Sequence, residues 1–111
     1  MAKFEDTPLS LALREGSLDE LNRLASQADT VDLSGTNLRG ADLRKANLRN
    51  ADLRGAYCHS ADLRGVDLSE ALLEGASFHL ARVSGAYFPP SLSAEELQLS
   101  LDLGTRVRCR R

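Results

Sequence analysis

The chain has 111 residues, 42% of them apolar, a net charge of -2 and no Trp. That length supplies one domain of ordinary globular composition, so disorder is excluded and Leu and Ala must build any core. The charge balance excludes nonspecific nucleic-acid binding through an overall basic field, and no apolar run approaches the length of a membrane span.

The first ten residues, MAKFEDTPLS, lack the apolar stretch of a leader, which points to a cytoplasmic protein. Two cysteines, Cys58 and Cys109, make no disulfide framework and read as free thiols in a reducing compartment. Thr7-Pro8 can start a helix, with Pro at the first helical position, and Gly16 stops it. Leu9, Ala12 and Leu13 give that helix an apolar side. Ser17 with Glu20 forms a capping box for a second helix, in which Leu18, Leu21, Leu24, Ala25 and Ala28 recur at helical spacing. Residues 1–30 therefore read as a helical hairpin.

From Val31 to Pro90 the sequence repeats every five residues, twelve times. The centres are Leu33, Leu38, Leu43, Leu48, Leu53, Cys58, Leu63, Leu68, Leu73, Phe78, Val83 and Phe88, and a small residue such as Thr36, Ala41 or Ala61 stands two places before each. Five residues advance an α-helix by about 500°, so an apolar stripe would drift by about 140° per repeat. On a straight strand an odd period sends alternate repeats to opposite faces. The inward positions are instead spaced two, three, two, three. A step of two suits a short extended segment, and a step of three with both ends inward needs a bend. The chain must turn a corner every five residues and wind into a coil whose successive turns share backbone hydrogen bonds. Glycine recurs two places after the centre, where a corner can need unusual dihedrals. Each centre Leu contributes roughly 1.5–3 kcal/mol on full burial.

The word A(D/N)Lxx resembles that of the pentapeptide-repeat family. The resemblance implies a right-handed β-helix of square cross-section, four pentads per coil, hence about three coils and about 14 Å of solenoid. Period alone leaves three or four sides open. His59 and His79, twenty residues apart, agree with four sides and would stack in one column, as would Cys58 and Phe78.

Pro89-Pro90 ends the repeat, because proline cannot donate to the ladder. Over 91–111, Ser93 with Glu96 is a capping box and Gly104 a helix stop. Between them LQLSLDL alternates like a strand, while its caps and residue types favour a helix, and helix is the reading adopted. At 100° per residue Ala94, Leu97 and Leu101 share one side, with Leu99 and Leu103 opposite and Leu92 extending that second side. Two readings follow. Either the second side forms a homodimer, or the segment lies in a groove and buries both sides within one chain.

Among candidate functional residues, Cys58 reads as a small apolar filler under the larger Phe78. Cys109 lies among Arg106, Arg108, Arg110 and Arg111, which would favour thiolate and make it the more reactive thiol. Tyr57, His59, His79 and Tyr87 break an Asp/Arg surface and suit a partner-binding patch, together with Leu99 and Leu103. A full metal site needs three or four ligands, and Cys58 faces the wrong way, so no metal and no cofactor are expected. No phosphate loop, HExxH, CxxC or Ser/His/Asp set is present, so an enzyme is not expected.

The repeat carries seven Lys/Arg and seven Asp/Glu, so its wall is neutral. Some pentapeptide-repeat proteins present an acidic, DNA-like rod to DNA gyrase, and a neutral, short coil disfavours that role. The flanks LALREGSLDELNRL and SLSAEELQLSLDLGTRVR are similar to those of short pentapeptide-repeat proteins common in cyanobacteria. That similarity implies an accessory or assembly role for a larger, photosynthetic complex. The expected function is a non-enzymatic interaction or scaffold module with a protein partner. The alternative is a topoisomerase or nucleic-acid regulator acting by DNA mimicry.

Overall fold

The computed structural model describes residues 7–27 and 30–110. The expectations placed on the first six residues and on Ala28 fall outside these. Helix α1 spans Pro8–Arg14 and α2 spans Asp19–Gln27. Thr7 caps α1: its Oγ1 accepts the Ser10 N–H at 3.0 Å, and the Thr7 N–H donates to Ser10 Oγ at 2.8 Å. Each satisfies a backbone donor that the first helical turn would leave open. The expected partnership of Ser17 with Glu20 is displaced, because α2 begins at Asp19 and the Glu20 carboxylate takes the Arg23 guanidinium.

Beyond α2 the chain winds with a register of twenty residues. Strand β1 (Val31–Asp32) pairs in parallel with β2 (Ala51–Asp52), Val31 opposite Ala51. The same offset recurs in the parallel bridges Asn37–Tyr57, Tyr57–Ser77, Asp42–Asp62, Asp62–Arg82 and Asp67–Tyr87. Twenty residues are four pentads, so one step of the register takes four repeat units. A flat of two or three residues between corners is too short for a regular strand. Most of the ladder is therefore single bridges, held by bonds such as Leu38 N to Tyr57 O and Cys58 N to Ser77 O, each 2.8 Å.

Two interactions make each corner. The centre's carbonyl accepts the N–H three residues on, as in Ala41 N to Leu38 O and Ala61 N to Cys58 O, both 3.1 Å. The Asp or Asn before the centre accepts the N–H two residues ahead of itself, as in Arg54 N to Asp52 Oδ1 at 3.1 Å. That local bond is the physical reason for the D/N in the repeat word. Two places after eight of the twelve centres the backbone is left-handed; six of these positions are glycine, and the other two are Ser60 (φ 60) and Leu80 (φ 59).

The centres from Leu33 to Phe78 are buried, while Val83 and Phe88 at the far end are only partly so. Leu13 and Leu21 join the same core from α1 and α2. Asn22, a residue whose role the repeat pattern does not disclose, serves the unpartnered start of the ladder. Its Oδ1 accepts the Asn47 N–H at 2.9 Å, and its Nδ2 donates to Lys45 O at 3.3 Å.

At the other end α3 spans Ala94–Leu103, with Ser93 as N-cap and Gly104 in the left-handed conformation as stop. The helical reading of LQLSLDL holds, with three corrections. Leu92 is buried in the core rather than extending the outer side, Ala94 is exposed, and Ser100 is the fully buried residue of the helix. Glu96 turns to Arg108 instead of closing the capping box. The last residues are also not a free basic tail. Val107 is fully buried, its N–H donates to Ala76 O at 2.9 Å, and its carbonyl accepts the Gly75 N–H at 2.8 Å. Residues 106–107 thus cover the backbone edge of the last turn, running antiparallel to it.

Candidate interaction surface

Most of the outer wall is neutralised locally. Arg44, Arg54 and Arg64 each hold the Asp two places before them at 2.7–2.8 Å, and Arg44 also reaches Asp62 on the next turn at 3.4 Å. The guanidinium of Arg44 holds the Asp42 carboxyl down to about 2, and those of Arg54 and Arg64 act likewise on Asp52 and Asp62. Such exposed pairs contribute little individually. They leave a wall without a net sign, unlike an acidic DNA-like rod.

One side departs from that pattern. Tyr57 and His59 are stacked with ring centroids 5.6 Å apart and planes 4° from parallel. His79 follows one turn later, its ring 5.1 Å from His59 at 51°. His79 in turn lies against Gly104, where an added Cβ would stand 3.3 Å from the imidazole. A side chain there would press on the ring, so the glycine both ends α3 and admits His79. Next to it Leu80 donates its N–H to Leu101 O at 3.1 Å, which fixes α3 to this side. The outer side of α3 then continues with Leu99 and Leu103, 42% and 69% exposed, beside Glu95, Gln98 and Asp102.

The six residues expected to form a patch are therefore not one group. Tyr57, His59 and His79 adjoin, and Gly104 links them to the end of α3 that carries Leu103. Tyr87, 66% exposed, pairs with Asp67 and lies half a turn away in the coil. Leu80, 60% exposed, belongs with the strip although the repeat pattern does not single it out. Its signal is the only large apolar residue among the twelve positions two places after a centre.

Neither thiol is activated. Cys58 is sealed in the core, where burial pushes its thiol up to about 12. Cys109 departs from the expected thiolate. Partial burial and the nearby Glu74 carboxylate raise its pKa, while Arg108, one of the four arginines expected to help, is engaged with Glu96, and another, Arg111, lies outside the described residues. Among the described residues, no three or more His, Cys, Asp or Glu converge as metal ligands. No described helix is long and apolar enough to cross a membrane.

A parallel ladder at a twenty-residue offset, with a buried centre in every fifth position from Leu33 to Phe78, defines a β-solenoid built from a five-residue unit. The chain belongs to the pentapeptide-repeat family, whose model it matches in eight copies over residues 32–69 and 51–88. Among solved structures it is similar to a pentapeptide repeat protein of the Arabidopsis thaliana thylakoid lumen, at 35% identity over 59% of this chain and 51% of that one, with a TM-score of 0.27. The chain thus spans about half the length of that relative. No curated protein matches it.

Proposed function

We propose that the protein is a non-enzymatic docking module of the cytoplasm, with one domain that recruits a protein partner into a larger assembly. The fold we infer is a right-handed, four-sided coil of about three turns over 31–90, closed by α1 and α2 at one end and by α3 at the other. The twenty-residue register and the burial of Leu13, Leu21 and Ser100 support it. The observation that carries the function is the strip from Tyr57 through His59 and His79 to Leu103, on a wall that elsewhere carries the Asp–Arg pairs of Arg44, Arg54 and Arg64. Aromatic and aliphatic groups free of strong charge are what a partner can desolvate at low cost. The flank similarity in the sequence adds the lean towards a photosynthetic complex.

Affinity capture from the native cell followed by mass spectrometry tests this reading. A specific partner should be lost with Tyr57→Ala/His79→Ala while the variant's melting stays cooperative. Equal recovery by both chains contradicts it. The second reading is a gyrase or nucleic-acid regulator, and the neutral wall speaks against it. Inhibition of gyrase supercoiling at low micromolar protein would install it instead. A homodimer through Leu99 and Leu103 is the third arrangement, and a monomeric mass by sedimentation at micromolar concentration removes it.

A further inference from the structure

His59 and His79 occupy the same place on successive turns, each one residue after a buried centre, so both rings stand on the outer wall. Their environment holds them there. Tyr57 stacks on His59. Ser60 Oγ lies 3.4 Å from His59 Nδ1. Gly104 backs the ring of His79. Two imidazoles with centroids 5.1 Å apart on adjacent rungs are close enough for one nitrogen of each to share an ion. Imidazole selects copper, nickel and zinc over magnesium and calcium.

We propose that His59 and His79 form an open two-histidine chelate for a Cu²⁺, Ni²⁺ or Zn²⁺ ion, whose other positions are filled by water. The ion needs neutral imidazoles. Arg39, at the equivalent place one turn earlier, opposes a cation. This restricts the site to an exchangeable ion rather than a closed structural one. The inference goes beyond the docking role and does not rest on it.

The test uses the untagged chain, titrated separately with CuSO₄, NiCl₂ and ZnCl₂ by calorimetry, with the imidazole NMR signals followed for Cu²⁺ and Ni²⁺. His59→Gln, His79→Gln and the double variant are run beside it, their folding checked by circular dichroism. The expected result is one ion per chain, paramagnetic broadening centred on His59 and His79, and affinity lowered roughly 10–100-fold by either single change. Binding should also fade as pH drops below about 6. Absence of binding below about 1 mM metal overturns the proposal, as does an affinity that both substitutions leave unchanged.

Discussion

The Oγ of Ser100, in the middle of α3, accepts the backbone N–H of Phe78 at 2.8 Å, and both residues are fully buried. Phe78 is a centre of the last full turn, and no further rung exists to receive its amide. A serine on the inner side of an otherwise apolar helix thus replaces the missing turn. Removing the hydroxyl leaves a buried N–H without a partner, which costs about 1–3 kcal/mol. Ser100→Ala should lose that much in denaturant melts, with the fold retained. A change below about 0.5 kcal/mol would show that the bond does not matter to the end of the coil.

Val107 performs the matching task for Gly75 and Ala76. Its side chain is fully buried, and its backbone pairs with both. Val107→Ala removes about two methyl groups' worth of burial, or about 2 kcal/mol. Removing residues 105–111 should speed amide exchange at Gly75 and promote edge-to-edge association. Unchanged exchange at Gly75 in the shortened chain would contradict the pairing.

Leu80 holds a left-handed backbone (φ 59) and is 60% exposed, so little burial offsets the strain. For a residue with a Cβ that conformation costs about 1–2 kcal/mol. Leu80→Gly is expected to raise stability by about 1 kcal/mol, less the entropy glycine adds to the unfolded chain. If Leu80 also serves the strip, the same change weakens partner capture. A clear loss of stability would mean that the leucine side chain supports the fold.

Acid should destabilise the protein in two stages. The folded pKa of Asp42 is about 2, lowered first by the Arg44 guanidinium, and those of Asp32, Asp52, Asp62, Asp67 and Glu96 are lowered by their own hydrogen-bond donors. The unfolded chain therefore binds more protons in this range. The contribution is present above about pH 4 and is lost as pH falls towards the folded values. His59 is also lowered, from 6.5, so its protonation adds a smaller decline through the histidine range. Melting temperature should be level between about pH 7 and 8, fall slightly near 6, fall steeply below 4, and decline again above about 9 as the unfolded chain ionises the Cys58 thiol that burial keeps protonated in the fold. A flat profile between pH 5 and 2 would mean that the Asp–Arg pairs contribute nothing.

The alternation of two-residue and three-residue steps makes the buried centres and the corners legible, because only a bending chain can send all of them inward. Thr7-Pro8, Ser93 and Gly104 mark helix ends because caps obey local rules. The closure of the coil is less legible. Asn22, Ser100 and Val107 each satisfy a backbone group that exists only because the coil has ended, and no local pattern announces that need. The alternation Arg106-Val107-Arg108-Cys109-Arg110 is itself strand-like, but its charge draws attention away from Val107. For the same reason Cys109 reads as activated, although Arg108 beside it is already paired with Glu96. Tyr57 and Tyr87 look equivalent along the chain and are separated only by which side of a four-pentad turn each occupies.

The twenty-residue register underlies the core, the strip and both ends, and scalar coupling through hydrogen bonds measures it most directly. Couplings should appear from Leu38 ¹⁵N to the Tyr57 carbonyl carbon and from Cys58 ¹⁵N to that of Ser77, whose N···O distances are both 2.8 Å. Their absence, or couplings from the same amides to carbonyls five residues earlier in the chain, would contradict the proposed four-sided turn and separate His59 from His79.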